Sequence, residues 1–291
     1  MSTTGQFDTD TAVTRVSEGV YGATFGERWN VPGGTPNGGY SLGVTLRALA
    51  HSMSPHGRPK GSYRSAQHAG CLVSELGLPD PLVVAAFFLR RASTGSAEVR
   101  TELARVGRRT ATGEARLWRD GQETARAVAT FTDLTRSRGR TVELGRAPEL
   151  PPPQACIDPR AGRPMPGVTM AERIDIRCER PPGWLVGRPS GAPSASFWMR
   201  FADGRDADTL SPPTLVDACT PAAMELGARG SATVELTVHV RARPARDWLA
   251  CRVSTRHVSA GYHDEDFEIW DSAGQLVAQG RQLALLPQAD A

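Results

Sequence analysis

Apolar and polar positions along the chain fall into the same order twice. The first stretch opens with an extended segment, Val20 to Trp29, followed by the turn-rich VPGGTPNGG. Leu42, Leu46, Leu49 and Ala50 then recur at helical spacing and predict a helix from Gly39 to Met53, with Asn37 as its N-cap. Residues 54–80, rich in Gly, Pro, Ser and His, read as a loop or insertion. Strand patterns follow in PLVVAAFFLRR, AEVRTELARVGRRTATGEARLWRD and ETARAVATFTDL. The middle one is long enough for two strands, and Gly121 supplies the turn into the last.

The second stretch repeats that order. MAERIDIRC and SASFWMRFAD read as strands, and DTLSPPTLVDACTPAAMELG reads as a helix. TVELTVHVRARP, WLACRVSTRHVSAGYHDEDFEIWDS and QLVAQGRQLALL read as strands again. The two final hairpins, 117–131 and 269–285, lie on one another: Trp118 meets Trp270, Gly121-Gln122 meets Gly274-Gln275, and Ala129 meets Gln282. One strand–helix–strands unit used twice predicts an α+β double hot dog, two antiparallel sheets each wrapped round a long helix. The halves are expected at 1–132 and 168–291. A connector at 133–167, with charge runs and Pro151-Pro152-Pro153, joins them.

Composition narrows the function classes. A chain of 291 residues with 40% hydrophobic positions can bury two cores. The longest apolar run, Leu82 to Leu89, is far short of the roughly 20 residues a membrane span needs, so no membrane partner is expected. The opening MSTTGQFDTDTAVTR has neither the basic start nor the apolar core of a signal peptide, which points to the cytoplasm. A net charge of +3 argues against nucleic acid. Lys60 is the only lysine among 34 basic residues; a GC-rich genome explains the set and leaves a few arginines for an anionic ligand. Cys71, Cys156, Cys178, Cys219 and Cys251 are widely spaced with no CxxC. Buried free thiols are expected, with neither a disulfide framework nor a zinc site.

Several segments, taken in order, carry a resemblance. They are PNGGYSLGVTLRALA and PLVVAAFFLRRA, then RIDIRCERPPGWLVGRPSG, LVDACTPAA, SATVELTVHVRARP and VAQGRQLAL. On these the chain resembles the double hot-dog acyl-CoA thioesterases of the bacterial thioesterase II type. It departs at Glu235-Leu236, where such enzymes often carry Asp-His. The resemblance implies hydrolysis of an acyl-CoA to free acid and CoA by an activated water, with no metal, no cofactor and no acyl-enzyme; lipid metabolism and a step in a secondary-metabolite pathway both stay open as its setting. It implies a water-holding trio of Asp217, Thr233 (with Ser231 nearby) and Gln282. It places Gly38, Gly39 and Tyr40 at the substrate, with helix-start backbone polarising the thioester carbonyl. It also implies a homo-oligomer, and surface arginines for the CoA arm: Arg90 and Arg91, or Arg241 and Arg243.

The residues themselves give each position two readings. Gln282 is the one polar residue on a strand face of Leu276, Ala278, Gly280, Ala284 and Leu286. An unpaired buried amide costs about 1–3 kcal/mol, so it needs partners. Since the twin half manages with Ala129, a functional role stands ahead of a core one. Asp217 lies four residues before Pro221, which cannot donate to its carbonyl, so the helix kinks or restarts there. A general base and a surface or capping aspartate are equal readings. Strict alternation in TVELTVHV puts Thr233 opposite the valine face, unless a bulge turns it. Gly38-Gly39 is either a plain turn or an oxyanion site at a helix start.

HDED (263–266) reads as a solvated strand or hairpin, and Cys219/His239 and Cys251/His257 carry no nucleophile signature. Two other readings remain. A hot-dog hydratase or dehydratase needs an Asp–His pair at a helix start, and Asp217 has no His within six residues. A non-catalytic acyl-CoA or acyl-carrier binding protein needs no water-holding trio. Half one has no carboxylate in its helix and alanine at position 129, so one site per chain is expected, with its side chains from half two.

Overall fold

The structure, a computed structural model, describes residues 5–53 and 77–287. Most of the 54–80 insertion, with Cys71, lies outside the described residues. In chain order the elements are α1 (Gln6–Asp10), β1 (Thr14–Ser17), β2 (Val20–Phe25), β3 (Asn30–Val31), β4 (Thr35–Pro36) and α2 (Gly38–Met53). Then come β5 (Asp80–Phe88), β6 (Gly95–Val106), β7 (Ala111–Arg119), β8 (Gln122–Thr132), β9 (Ile174–Arg177), β10 (Ser194–Phe201) and α3 (Pro212–Ala218). The last are β11 (Ala232–Val240), β12 (Leu249–Ser254), β13 (Val258–Ser259), β14 (Tyr262–Trp270) and β15 (Leu276–Leu285).

The repeat read from the sequence is a repeat of topology. Strand order is β2-β6-β7-β8-β5 in the first half and β10-β12-β14-β15-β11 in the second, with the helix after the first strand of each. This is the double hot dog. The two sheets meet edge to edge. β5 and β11 pair antiparallel, from Phe87 opposite Glu235 to Val83 opposite His239, so the strands run on as one 13-stranded sheet. The turn into β8 is a two-residue hairpin in which Asp120 (φ 49°) and Gly121 (φ 73°) both take positive φ.

The long helix α2 follows from its cap. Asn37 Oδ1 accepts from the Tyr40 N–H at 2.8 Å. Burial reaches beyond the leucine stripe: Ser41, Thr45 and Ser52 are also buried, and each hydroxyl donates to the carbonyl four residues back. α2 is therefore a central helix, covered on several sides.

The second long helix expected from the sequence is not continuous. α3 stops at Ala218, Cys219 is extended (φ −77°, ψ 143°), and a separate 3-10 turn spans Ala222–Leu226. Pro221 has no N–H for the Asp217 carbonyl and disfavours helical backbone just before it. Short α3 crosses α2 at glycines. A Cβ on Gly39 would lie 2.7 Å from Asp217 Cβ and 2.9 Å from the Thr214 carbonyl oxygen; one on Gly43 would lie 2.8 Å from Thr214 Oγ1. Thr214 Oγ1 donates to the Gly39 carbonyl at 2.8 Å across this contact.

Cys156, Cys178 and Cys251 are buried free thiols, while free Cys219 is partly exposed. Among the described residues no helix is long and apolar enough to cross a membrane.

Candidate active site

The break at Pro221 places Asp217 at the end of α3, against the start of α2. Its backbone carbonyl, released from the helix, accepts from Asn37 Nδ2 at 3.1 Å. The same amide nitrogen donates to Asp217 Oδ2 at 2.8 Å, and the Gly39 N–H donates to Oδ2 at 2.7 Å. Asn37 thus caps α2 with its oxygen and clamps α3 with its nitrogen. Its cap role was legible in the sequence; its second role needed the fold. Asp217 Oδ1 is held less tightly, among the described residues by Thr233 Oγ1 alone at 3.3 Å.

Thr233 faces inward because β11 carries a bulge. Thr233 stands opposite Ala284, but Glu235 stands opposite Leu283, so two steps on β11 match one on β15. Val234, expected on the apolar face, is 37% exposed as a result. Thr233 Oγ1 also reaches Gln282 Oε1 at 3.0 Å. Gln282 is 5% exposed and directly opposite Glu265 on β14, and its Nε2 donates to Glu265 Oε1 at 3.0 Å. Glu265 Oε2 accepts from the Ala222 N–H at 2.7 Å, just past Pro221. A continuous chain of bonds thus runs Asn37–Asp217–Thr233–Gln282–Glu265.

Glu265 was missed by the sequence reading, and HDED is not a solvated segment. Strand alternation sends His263 and Glu265 inward, 0% and 2% exposed, and leaves Asp264 and Asp266 partly exposed. The signal that could have found Glu265 is that HDED shares the inward face of Phe267 and Ile269. His263 Nδ1 contacts the Asp264 carbonyl at 3.1 Å and its Nε2 contacts Ser231 Oγ at 2.9 Å, so Ser231 belongs to the histidine.

The twin half has the same frame without the polar groups. β5 carries the same register step, between Pro81 and Val83. Matching pairing positions put Pro81 where half two has Thr233, Ala129 for Gln282, Gly113 for Glu265, and Ala111 for His263. Half one thus builds the same strand frame without these side chains. Half one brings Asn37 and the start of α2.

Tyr40 is not part of this cluster. It is fully buried, its hydroxyl donates to the Asp10 carbonyl at 2.8 Å, and its ring stacks on Trp29 with centroids 5.3 Å apart. Gly38 does lie here: a Cβ on it would be 3.0 Å from Asp217 Oδ2 and 2.9 Å from the Phe88 ring. The arginines separate by position. Arg90 and Arg91 are exposed and follow Phe88 out of β5 at this end. Arg241 is eight residues past Thr233, roughly 27 Å along the strand direction, and binds Gln279. Arg243 is held by Asp80, Nη2 to Oδ2 at 2.9 Å. Arg241 and Arg243 therefore lie away from the site.

Burial sets the electrostatics. It pushes the Asp217 carboxyl up to about 6, against the Gly39, Thr233 and Asn37 hydrogen bonds that favour its charged form. Burial, with Asp217 and Asp264 nearby, pushes Glu265 to about 8, against donors from Ala222 and Gln282. A carboxylate near neutrality, with one lightly held oxygen, can take a proton from water.

The description "acyl-CoA thioesterase N-terminal domain" matches residues 25–132 and "acyl-CoA thioesterase C-terminal domain" matches 148–286. A protein of Mycobacterium tuberculosis H37Rv described as uncharacterized is 28% identical over 226 residues, 71% of this chain and 76% of that one. A crystal structure from Thermobifida fusca, provisionally described as a thioesterase II, is 27% identical with a TM-score of 0.77, over 97% of this chain and 98% of that one. The acyl-CoA thioesterase II of Mycobacterium marinum shares the fold at 16% identity, with a TM-score of 0.70 over 98% and 99% of the two chains. The two matches together span most of the sequence, and the chain belongs to the acyl-CoA thioesterase family.

Proposed function

We propose that the protein hydrolyses acyl-CoA thioesters to a free acid and CoA, with water activated by Asp217. The observation that carries this reading is the convergence of Asp217, Thr233 and Gln282, from three separate elements, through 3.3 and 3.0 Å hydrogen bonds. Asp217 Oδ1 accepts a proton as water adds to the thioester carbonyl. Thr233 and the second Gln282 amide N–H hold that water. The Gly38 N–H, first of α2 and without an intrahelical acceptor by position, stabilises the oxyanion. The C–S bond then breaks, and the thiolate leaves with the proton taken by Asp217. The Gly39 N–H is occupied by Asp217, so Gly39 positions the base and does not bind the carbonyl. Arg90 and Arg91, at the exit of β5, meet the CoA phosphates.

The hydratase reading loses support because the inward histidine, His263, bonds Ser231 and not Asp217. Release of free thiol from a series of acyl-CoAs of different lengths tests the proposal. Turnover of at least one is expected; acyl-CoA binding without thiol release would indicate a non-catalytic binding protein.

A further inference from the structure

We propose that Glu265 is a positioning residue: by accepting from Gln282 Nε2 it turns the Gln282 carbonyl toward Thr233, which draws the Thr233 proton away from Asp217 and leaves Asp217 Oδ1 open as the base. This rests on the hydrolytic reading above and adds a residue to it.

The argument is a count of protons. Thr233 has one hydroxyl proton and two acceptors in reach, Gln282 Oε1 at 3.0 Å and Asp217 Oδ1 at 3.3 Å. The closer acceptor holds it only while the Gln282 oxygen points that way. An ionised Glu265 has acceptors and no donor. Its Oε2 is taken by the fixed Ala222 N–H, so Oε1 must face an N–H, and Gln282 supplies one from directly across the strand pair. Were the amide turned over, Gln282 Nε2 would donate to Thr233. The Thr233 proton would then pass to Asp217 Oδ1 and cap it. Gly113 at the equivalent position of half one, paired with Ala129, shows that the frame tolerates having neither group.

A protonated Glu265 has a second option, since its O–H can donate to Gln282 Oε1 and release the amide. The groups facing it set where this happens. Asp217 on α3 and Asp264 on its own strand favour the neutral acid; the Ala222 N–H and the Gln282 amide favour the charged one. Cys219, just past α3, is itself pushed up by burial and stays a neutral thiol. Turnover is thus expected to rise in two steps with pH, the first as Asp217 ionises near about 6 and the second as Glu265 ionises near about 8.

Glu265→Gln tests this. The backbone N–H of Ala222 claims its amide oxygen, so its NH2 faces Gln282 and reverses the order. We expect kcat to fall about tenfold or more, KM to stay within about twofold, and the second step of the pH profile to vanish. In a Thr233→Val background the same change should have no further effect, because the proton it redirects is gone. Wild-type kcat with an intact two-step profile in Glu265→Gln would overturn the proposal, as would full additivity with Thr233→Val. Should the variant fold poorly, the unaltered protein answers the question. The Gln282 side-chain amide signal, identified by its loss in Gln282→Ala, should move as Glu265 titrates, and a signal without pH dependence from 6.5 to 9.5 would overturn it. This readout uses no substrate, so absence of acyl-CoA turnover in the wild type refutes the hydrolytic reading separately.

Discussion

Gly39→Ala should separate the site from the fold more cleanly than a change to any polar residue. The added Cβ would lie 2.7 Å from Asp217 Cβ, 2.9 Å from the Thr214 carbonyl oxygen and 3.0 Å from Thr214 Cα. Two of those atoms are backbone, so no side chain can swing aside, and α2 and α3 must part. Restoring ordinary carbon–carbon contact near 3.5 Å asks for roughly 0.8 Å of separation. Overpacking of this kind costs about 1–3 kcal/mol. For 291 residues at about 2.1 cal/mol/K each, that lowers the thermal midpoint by about 2–5 °C. The same shift stretches the 2.7 Å Gly39 N–H bond to Asp217 and moves the carboxylate relative to Thr233 and Gln282. Catalytic groups tolerate about 0.5 Å, and a 1 Å misplacement loses about 100-fold, so turnover should fall by about 30- to 100-fold. The assay is thiol release beside a thermal melt, with Gly26→Ala as the companion. Gly26 has φ −84° and open space around its Cβ position, so alanine there should change neither quantity appreciably. A Gly39→Ala protein with wild-type turnover would refute the claim that this helix contact positions the base.

Gln282→Ala should cut thiol release by at least about tenfold and also lower stability by about 1–3 kcal/mol, because Glu265 is left buried with one donor fewer. A lost midpoint with full activity would mark Gln282 as a core residue only. Arg243→Ala should lower the midpoint, since Asp80 is 2% exposed and loses its ion pair, yet leave KM for acyl-CoA unchanged. A raised KM would show that Arg243 binds the CoA arm after all.

The local parts of this architecture were legible in the sequence and the long-range parts were not. Asn37, the leucine stripe of α2 and the Asp120-Gly121 turn each depend on a few neighbouring residues. Gln282 stood out because the chain carries its own control, an equivalent strand with alanine. Pro221 announced an interruption at Asp217, and the structure shows its consequence, a seven-residue α3 in place of a long second helix. Thr233 could not be placed from alternation, because one bulge reverses the face of everything before it. Tyr40 follows the glycines in sequence, but α2 turns its ring into the Trp29 cluster. Glu265 was hidden by its neighbours: in HDED, alternate residues face opposite ways, and only pairing with β15 shows that one of the acids is opposite Gln282.

The most direct measurement of the central claim is acyl-CoA hydrolysis by Asp217→Asn across pH 5 to 8, with acyl-CoA affinity measured on the same preparation. The asparagine oxygen can replace Oδ2 as acceptor for Asn37 and Gly39, and its amide can donate to Thr233, so folding and affinity should persist. Stability carries its own sign. Burial raises the folded-state value of Asp217 from 3.8 to about 6, so its ionisation weakens the fold as pH rises between those values. The variant should therefore gain stability relative to wild type above pH 6. The account predicts a loss of thiol release of about 100-fold or more, and absence of the acid limb near 6 that it expects of the wild type. Wild-type turnover in Asp217→Asn, with the limb still in place, would contradict it.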